Sequence, residues 1–221
     1  MSPSALSKFR GQRPCKCPSS EIPARPPRAV LTGGPGGGKT AVLEVVRRHF
    51  CEHVVVLPEA ASILFSGGFP RATGSDARRA AQRAIFRVQD ELERLALDED
   101  HATLVLCDRG VVDGSAYWPE GGQTTLFDEV GVSRTEALAR YAAVIHLRTP
   151  DDHAYDRSNP IRVESASEAG VIDRRIADVW VGHPRRVFVE PEADFVEKLR
   201  MSRAAIGELL PMGCRSHDWR A

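Results

Sequence analysis

Apolar positions follow two rhythms along this chain. Short unbroken apolar runs at Ala29–Thr32, His53–Leu57, Thr103–Cys107, Ala143–Leu147 and Arg186–Val189 read as strands, with β-branched residues suited to a pleated surface. Between them, apolar residues recur at three- and four-residue steps. Val42, Val45, Val46 and Phe50 share one helical face, and Ala77, Ala81, Ala84, Ile85, Val88, Leu92 and Leu95 define a long amphipathic helix over 76–97. Ala169, Ile172, Ile176 and Val179 or Trp180 mark another helix between 164 and 182, and Phe195, Leu199, Ile206 and Leu209 a last one. Strands that lack polar alternation are buried on both faces, so helices must cover both sides of a parallel sheet. The expectation is a three-layer α/β sandwich around a mainly parallel five-stranded sheet. No repeat of fixed period interrupts it.

The N-terminus breaks this pattern. Residues 1–28 hold six basic residues against the single Glu21, a net charge of +5, while the 221-residue chain as a whole is neutral. The same stretch contains six prolines and few large apolar residues. Such a composition buries too little surface to offset the entropy of ordering, so residues 1–27 are expected to form a disordered basic tail and 28–221 one domain. Scarcity of acid is shared with organelle transit peptides, but a clear amphipathic helix is lacking. The Cys15-Lys16-Cys17 pair is too closely spaced for the usual zinc frames and reads as solvated. His49, Cys51 and His53 have a spacing found among metal ligands, yet they straddle a helix-to-strand change and share no helical face.

Charge and cysteine count exclude several classes of function. Zero net charge argues against broad nucleic-acid binding, and no apolar run is long enough to span a bilayer. Five irregularly spaced cysteines do not form a disulfide framework, so reduced thiols and a cytoplasmic location are expected.

The strongest chemical signal is Gly33-Gly34-Pro35-Gly36-Gly37-Gly38-Lys39-Thr40, which fits G-x-x-x-x-G-K-[ST] in full. It lies between a predicted strand and a predicted helix, as a phosphate-binding loop must. Glycines let the backbone turn its N–H groups toward phosphate oxygens, and the helix adds its positive end. Lys39 is suited to the β- and γ-phosphates, and the Thr40 hydroxyl to Mg²⁺. A dinucleotide fold would place a glycine where Lys39 stands.

Three further elements follow strand ends, the edge at which open parallel sheets bind ligands. Asp108, in Cys107-Asp108-Arg109-Gly110 with Asp113 after it, suits a metal-holding carboxylate, or a helix cap or turn residue; Arg109 suits a phosphate or the substrate, or a surface salt bridge. Glu59, after Leu57-Pro58, suits a base that takes a proton from an attacking hydroxyl, or equally a helix start. The polar run Tyr155–Glu164 suits a lid, with Arg157 and Arg162 reaching the transferring phosphoryl group, or a plain solvated loop. Tyr117, Trp118 and Trp180 are candidates for stacking on a base, and His183-Pro184-Arg185 for a phosphate contact; packing and a helix-ending turn are the alternatives.

Together these motifs resemble the kinase-like group of P-loop NTPases that holds nicotinamide-riboside kinase domains and AAA-like ATPase domains. The resemblance spans roughly residues 28–210, through the loop, Leu57–Ala60, Asp108–Gly114, Arg162–Glu164, His183–Arg185 and Asp194–Lys198. It implies the strand order 2-3-1-4-5, ATP and Mg²⁺ as cofactors, and phosphoryl transfer to a small acceptor such as a nucleoside or riboside. The Pro-Glu and Asp-Arg elements are also similar to those of deoxynucleoside kinases, which implies a base role for Glu59 and a phosphoryl contact for Arg109. Gly110 stands where those enzymes usually carry Ser, and their Arg-x-Arg-x-x-Glu lid pattern is missing, which disfavours deoxynucleosides. The alternative is a nucleotide-dependent regulatory ATPase without an acceptor. No guanine-reading Asn-Lys-x-Asp element is present, and no Asp-Glu pair closes the third strand.

Overall fold

In the computed structural model the described residues are 6–15, 17–18, 21–98, 101–150, 166–190 and 195–215. Five strands, β1 (Arg28–Thr32), β2 (Val54–Leu57), β3 (Leu104–Asp108), β4 (Ala143–Leu147) and β5 (Arg186–Val189), form one sheet in the order β2-β3-β1-β4-β5. Every neighbouring pair is parallel. Helices α1 (Lys39–His49), α2 (Ala60–Ser66), α3 (Ser75–Leu97), α4 (Leu126–Val130), α5 (Arg134–Ala139), α6 (Ala166–Val179), α7 (Phe195–Gly207) and α8 (Met212–Arg215) supply the connections and the C-terminus. The expected sandwich and strand order are both found. None of the helices among the described residues is long and apolar enough to cross a membrane.

Alternate strand residues feed two separate cores. Val30, Val55, Val105 and Val144 point to the layer of α3, α5 and α6, where Phe86, Leu138, Ile176 and Trp180 meet them. Leu31, Val56, Leu106 and Ile145 point to the layer of α1 and α7, against Val42, Val46 and Ile206. This division explains why the strand sequences lack polar positions. The register then levels the C-terminal strand ends: Leu57 pairs with Cys107, and Leu31 with Asp108.

The described part of the N-terminal stretch corrects the expectation of a disordered tail. Leu6 is 1% exposed within the α3-side core, and Phe9 packs against the same cluster. Gly11 N–H donates to the Val54 carbonyl at 2.9 Å, Gln12 N–H to Arg47 O at 2.9 Å, and Glu52 N–H to Arg13 O at 2.9 Å. The segment runs along β2, the edge strand, and Arg10 bridges Val55 in antiparallel sense. Its backbone covers an edge whose amides and carbonyls would otherwise stand open. Composition missed this because the stabilisation comes from main-chain bonds and two well-placed apolar side chains. Cys15 and Cys17, expected to be solvated, are half-buried.

Candidate functional site

β1 ends at Thr32, and the glycine loop turns directly into α1. Gly33, Gly36 and Gly38 all adopt positive φ, at 130°, 80° and 89°. At Gly33 the need is also steric, since a Cβ would lie 2.0 Å from the Leu147 carbonyl oxygen of neighbouring β4. α1 starts on Gly38 with no side-chain cap and no acidic residue in its first turn. The N–H groups of that turn have no intrahelical acceptor, so the helix offers an open, positive end. Lys39 Nζ lies over the loop and donates to the carbonyls of Gly33 and Gly34, at 2.9 Å each. Thr40 is exposed at the second position of the helix.

The loop is clamped from α6. Asp173 Oδ1 accepts from Gly34 N–H at 2.8 Å and lies 2.9 Å from His146 Nε2, while its Oδ2 accepts from Arg148 at 3.1 Å. Thr149 closes the far side, its hydroxyl donating to Pro35 O at 3.0 Å. Burial opposes the charge on Asp173, but the bonds from His146, Gly34 and Arg148 outweigh it and hold the carboxyl well below the usual range. Sequence reasoning missed Asp173. The available signal was a carboxylate on the apolar stripe of α6, between Ala169 and Ile176, where a solvated residue does not belong.

Opposite Lys39, the ends of β2 and β3 present Glu59, Asp108 and Arg109. Arg109 holds a left-handed backbone, φ 69°, a conformation of a few per cent of non-glycine residues. This turn brings its Nε to Glu59 Oε1 at 2.8 Å and its guanidinium over the Tyr117 ring at 5.9 Å. Asp113, 3% exposed, stabilises the turn, accepting from Gly110 N–H at 2.8 Å and from the Thr32 hydroxyl. The Arg109 Nη1 lies 3.7 Å from Asp113 and, though buried, makes no hydrogen bond among the described residues.

The charges influence one another strongly. Burial lowers the Lys39 ammonium to about 8, and nearby Arg109 adds to the effect. Burial raises the Asp108 carboxyl to about 6, with the Glu59 charge pushing the same way. Burial also works against ionised Glu59, but Arg109 and the Ser62 hydroxyl, which donates to Glu59 at 2.5 Å, leave it lowered. Burial works against Arg109 as well, and the surrounding Tyr117, Glu59, Asp113 and Asp108 more than compensate, so it is a permanent cation. An added divalent cation would relieve the crowding of Glu59 and Asp108 and reverse the rise at Asp108. The donor set is all oxygen, which suits a hard ion.

Beside this cluster lies a cleft of about 720 Å³, bounded by Pro35 on the loop and by Glu59 and Arg109. Its wall is apolar at Phe65, Ile85, Phe86 and Ile172, and basic at Arg71, Arg78 and Arg175. Size and lining suit a small polar molecule with an apolar face and negative charge.

The structure therefore gathers Gly33, Gly34, Pro35, Gly36, Gly37, Gly38, Lys39, Thr40, Glu59, Asp108 and Arg109 at one sheet edge. Arg157 and Arg162 lie outside the described residues. Of the aromatic candidates Tyr117 lines the cleft, whereas Trp180 is 1% exposed and packs edge-on against Tyr141. Trp118 donates to Thr124 O at 2.9 Å. His183 is structural: it is buried, Nε2 lies 2.9 Å from Tyr141 O, and Nδ1 accepts from Arg185 N–H at 3.1 Å. The helix-ending turn is thus what its neighbourhood shows, and no phosphate contact is needed to explain it.

A family model described as "AAA domain" matches residues 28–198, the greater part of the chain. Among solved structures the fold is similar to thymidylate kinase from Candida albicans, with a TM-score of 0.57 over 83% of this chain and 92% of that one, at 13% sequence identity. No curated protein matches the chain.

Proposed function

The chain belongs to the AAA domain family, and from that premise we propose that it is an ATP-binding, Mg²⁺-dependent phosphotransferase acting on a small molecule. The observation that carries the reading is the open N-terminal turn of α1 with the Lys39 ammonium over the loop, close to Glu59, Asp108 and Arg109 and beside a substrate-sized cleft. The loop amides and Lys39 would hold the triphosphate. Thr40 and Asp108 would hold Mg²⁺, which supplies charge neutralisation between the phosphates when bound. Arg109, with a buried Nη1 hydrogen still to be satisfied, would meet the phosphoryl oxygens. Glu59 is ionised at neutral pH and borders the cleft, so it would accept the proton of an acceptor hydroxyl once Arg109 turns to the phosphate. Arg157 and Arg162 would close over the site from the segment after β4. Catalysis would then rest on positioning and fixed charge, as phosphoryl transfer requires.

For the acceptor, the apolar wall and the arginines favour a nucleoside or riboside, free or already carrying a phosphate. The thymidylate kinase fold is compatible with such an acceptor and does not select it. The test is ³¹P NMR of ATP and Mg²⁺ with nucleosides, ribosides and their monophosphates. ADP formed together with a new phosphate ester supports the reading. ADP and inorganic phosphate formed at the same rate without any acceptor would instead identify a regulatory ATPase.

A further inference from the structure

The other end of the sheet holds a second constellation, and it does not depend on the nucleotide reading. Cys15 and Cys17 come from the N-terminal segment, His53 from the residue preceding β2, and Cys214 from α8. Each offers one ligand atom, and the four atoms lie within 4.8 Å of one another. Cys214 Sγ is 3.9 Å from Cys15 Sγ, 3.5 Å from Cys17 Sγ and 3.6 Å from His53 Nδ1, and Cys17 Sγ is 3.0 Å from the same nitrogen. A tetrahedral zinc ion, with Zn–S of about 2.3 Å and Zn–N of about 2.0–2.1 Å, sets ligand–ligand edges of about 3.8 Å between sulfurs and about 3.6 Å between sulfur and nitrogen. The group is therefore close to the size of a zinc tetrahedron. We propose that Cys15, Cys17, Cys214 and His53 Nδ1 form a structural zinc site that fastens both ends of the chain to the start of β2.

The surroundings fit a site built for that purpose. Cys15 N–H donates to Glu52 Oε1 at 3.1 Å, and the Cys17 amide bonds the Cys15 sulfur, which orients that sulfur. Thr103 Oγ1 lies 3.7 Å from the Cys214 sulfur. Gly213 permits the close approach, since a Cβ there would be 2.6 Å from the Cys17 Cβ. The Gly213 N–H donates to Glu21 at 2.7 Å, a second tie between the two chain ends. Zinc binding would release three thiol protons and leave a centre of one net negative charge, within a stretch of strongly basic sequence. Four protein ligands close the coordination sphere, so the ion is structural and leaves no position for substrate. A disulfide between two of these cysteines would account for neither the third sulfur nor the imidazole. Spacing concealed the site: the Cys15–Cys17 pair is short, and the other ligands are 36 and 197 positions away from Cys17.

The experiment uses the full chain, without an affinity histidine tag, purified in a non-thiol reductant with no metal added. Elemental analysis by mass spectrometry is expected to give about one zinc per chain. X-ray absorption at the zinc edge is expected to give three sulfurs and one nitrogen, a readout that needs no variant to fold. Replacement by Co²⁺ is expected to give the visible bands of a tetrahedral thiolate site, with loss of those bands in Cys17→Ser and Cys214→Ser and retention in Cys51→Ala. A wild-type chain that carries no zinc and develops no cobalt bands would overturn the proposal. So would an edge spectrum without sulfur, undiminished zinc in Cys214→Ser, or a Cys17–Cys214 disulfide in the mass spectrum of the chain kept under that reductant.

Discussion

The two ends of the sheet are built on opposite plans. At the C-terminal end the key groups are one contiguous loop and three side chains at or just beyond the ends of β2 and β3. At the N-terminal end they are scattered over nearly the whole chain and meet because the N-terminal segment covers the edge of β2. The first end concentrates charge: Lys39, Glu59, Asp108 and Arg109 perturb one another's ionisation. The second concentrates soft ligands around a single point. The contrast teaches that reactive groups are best placed by rigid strand ends, whereas a staple is useful where distant segments must be held together.

The two ends should respond separately to mutation. The largest expected effect is Glu59→Gln, which should lower acceptor-dependent turnover by about 10²–10⁴-fold through loss of a positioned base. Nucleotide affinity, measured by calorimetry, should change little, and so should zinc content. Lys39→Ala removes a charge-assisted contact of about 1.5–3 kcal/mol, so the dissociation constant for Mg·ATP should rise about 10- to 150-fold. Loss of zinc in that variant would mean that the ends are coupled, and the comparison would fail.

Gly33→Ala sharpens the comparison from the side of stability. It forces a Cβ toward the Leu147 carbonyl at a positive φ, and should cost about 1–3 kcal/mol in a urea titration. Asp173→Asn tests the clamp beneath the loop. It keeps the shape, weakens the bonds to Gly34 and Arg148, and should reduce nucleotide affinity by about 1–2 kcal/mol; because the depressed carboxyl contributes stability at neutral pH, the nucleotide-free chain should also melt at a lower temperature.

The smallest effect is on pH dependence. Nucleotide binding needs protonated Lys39, whose value in the free protein is depressed to about 8, so affinity should fall as pH rises through 8. Holding Mg²⁺ needs ionised Asp108, raised to about 6, so affinity should also fall as pH drops below 6. The interacting groups titrate as a set, and the profile should be a bell between these limits with less than a tenfold change per unit on either side. A flat profile from pH 5 to about 9 would show that these groups do not contact the ligand.

What the sequence disclosed follows from the same contrast. The five strands and the glycine loop were legible because their signals are local: unbroken β-branched runs, a helical stripe, and eight adjacent residues of the G-x-x-x-x-G-K-[ST] pattern. Glu59 and Asp108 were legible because each directly follows an apolar run. Asp173 was not, because its partners Gly34, His146 and Arg148 come from other elements and only folding brings them to it. Leu6 and Gly11 were hidden by a stretch rich in proline and basic residues, although their contacts belong to the backbone and the core. Cys214 was invisible as a ligand for the same reason of distance.

The loop from Gly33 to Thr40 and the nearby acids are proposed to form a magnesium–triphosphate site. Isothermal titration of the full chain with ATP, with and without Mg²⁺, tests it most directly. Saturable one-to-one binding that strengthens with magnesium and weakens in Lys39→Ala is the expected result. A folded wild-type chain that shows no magnesium-dependent affinity for ATP or any other nucleoside triphosphate would contradict it.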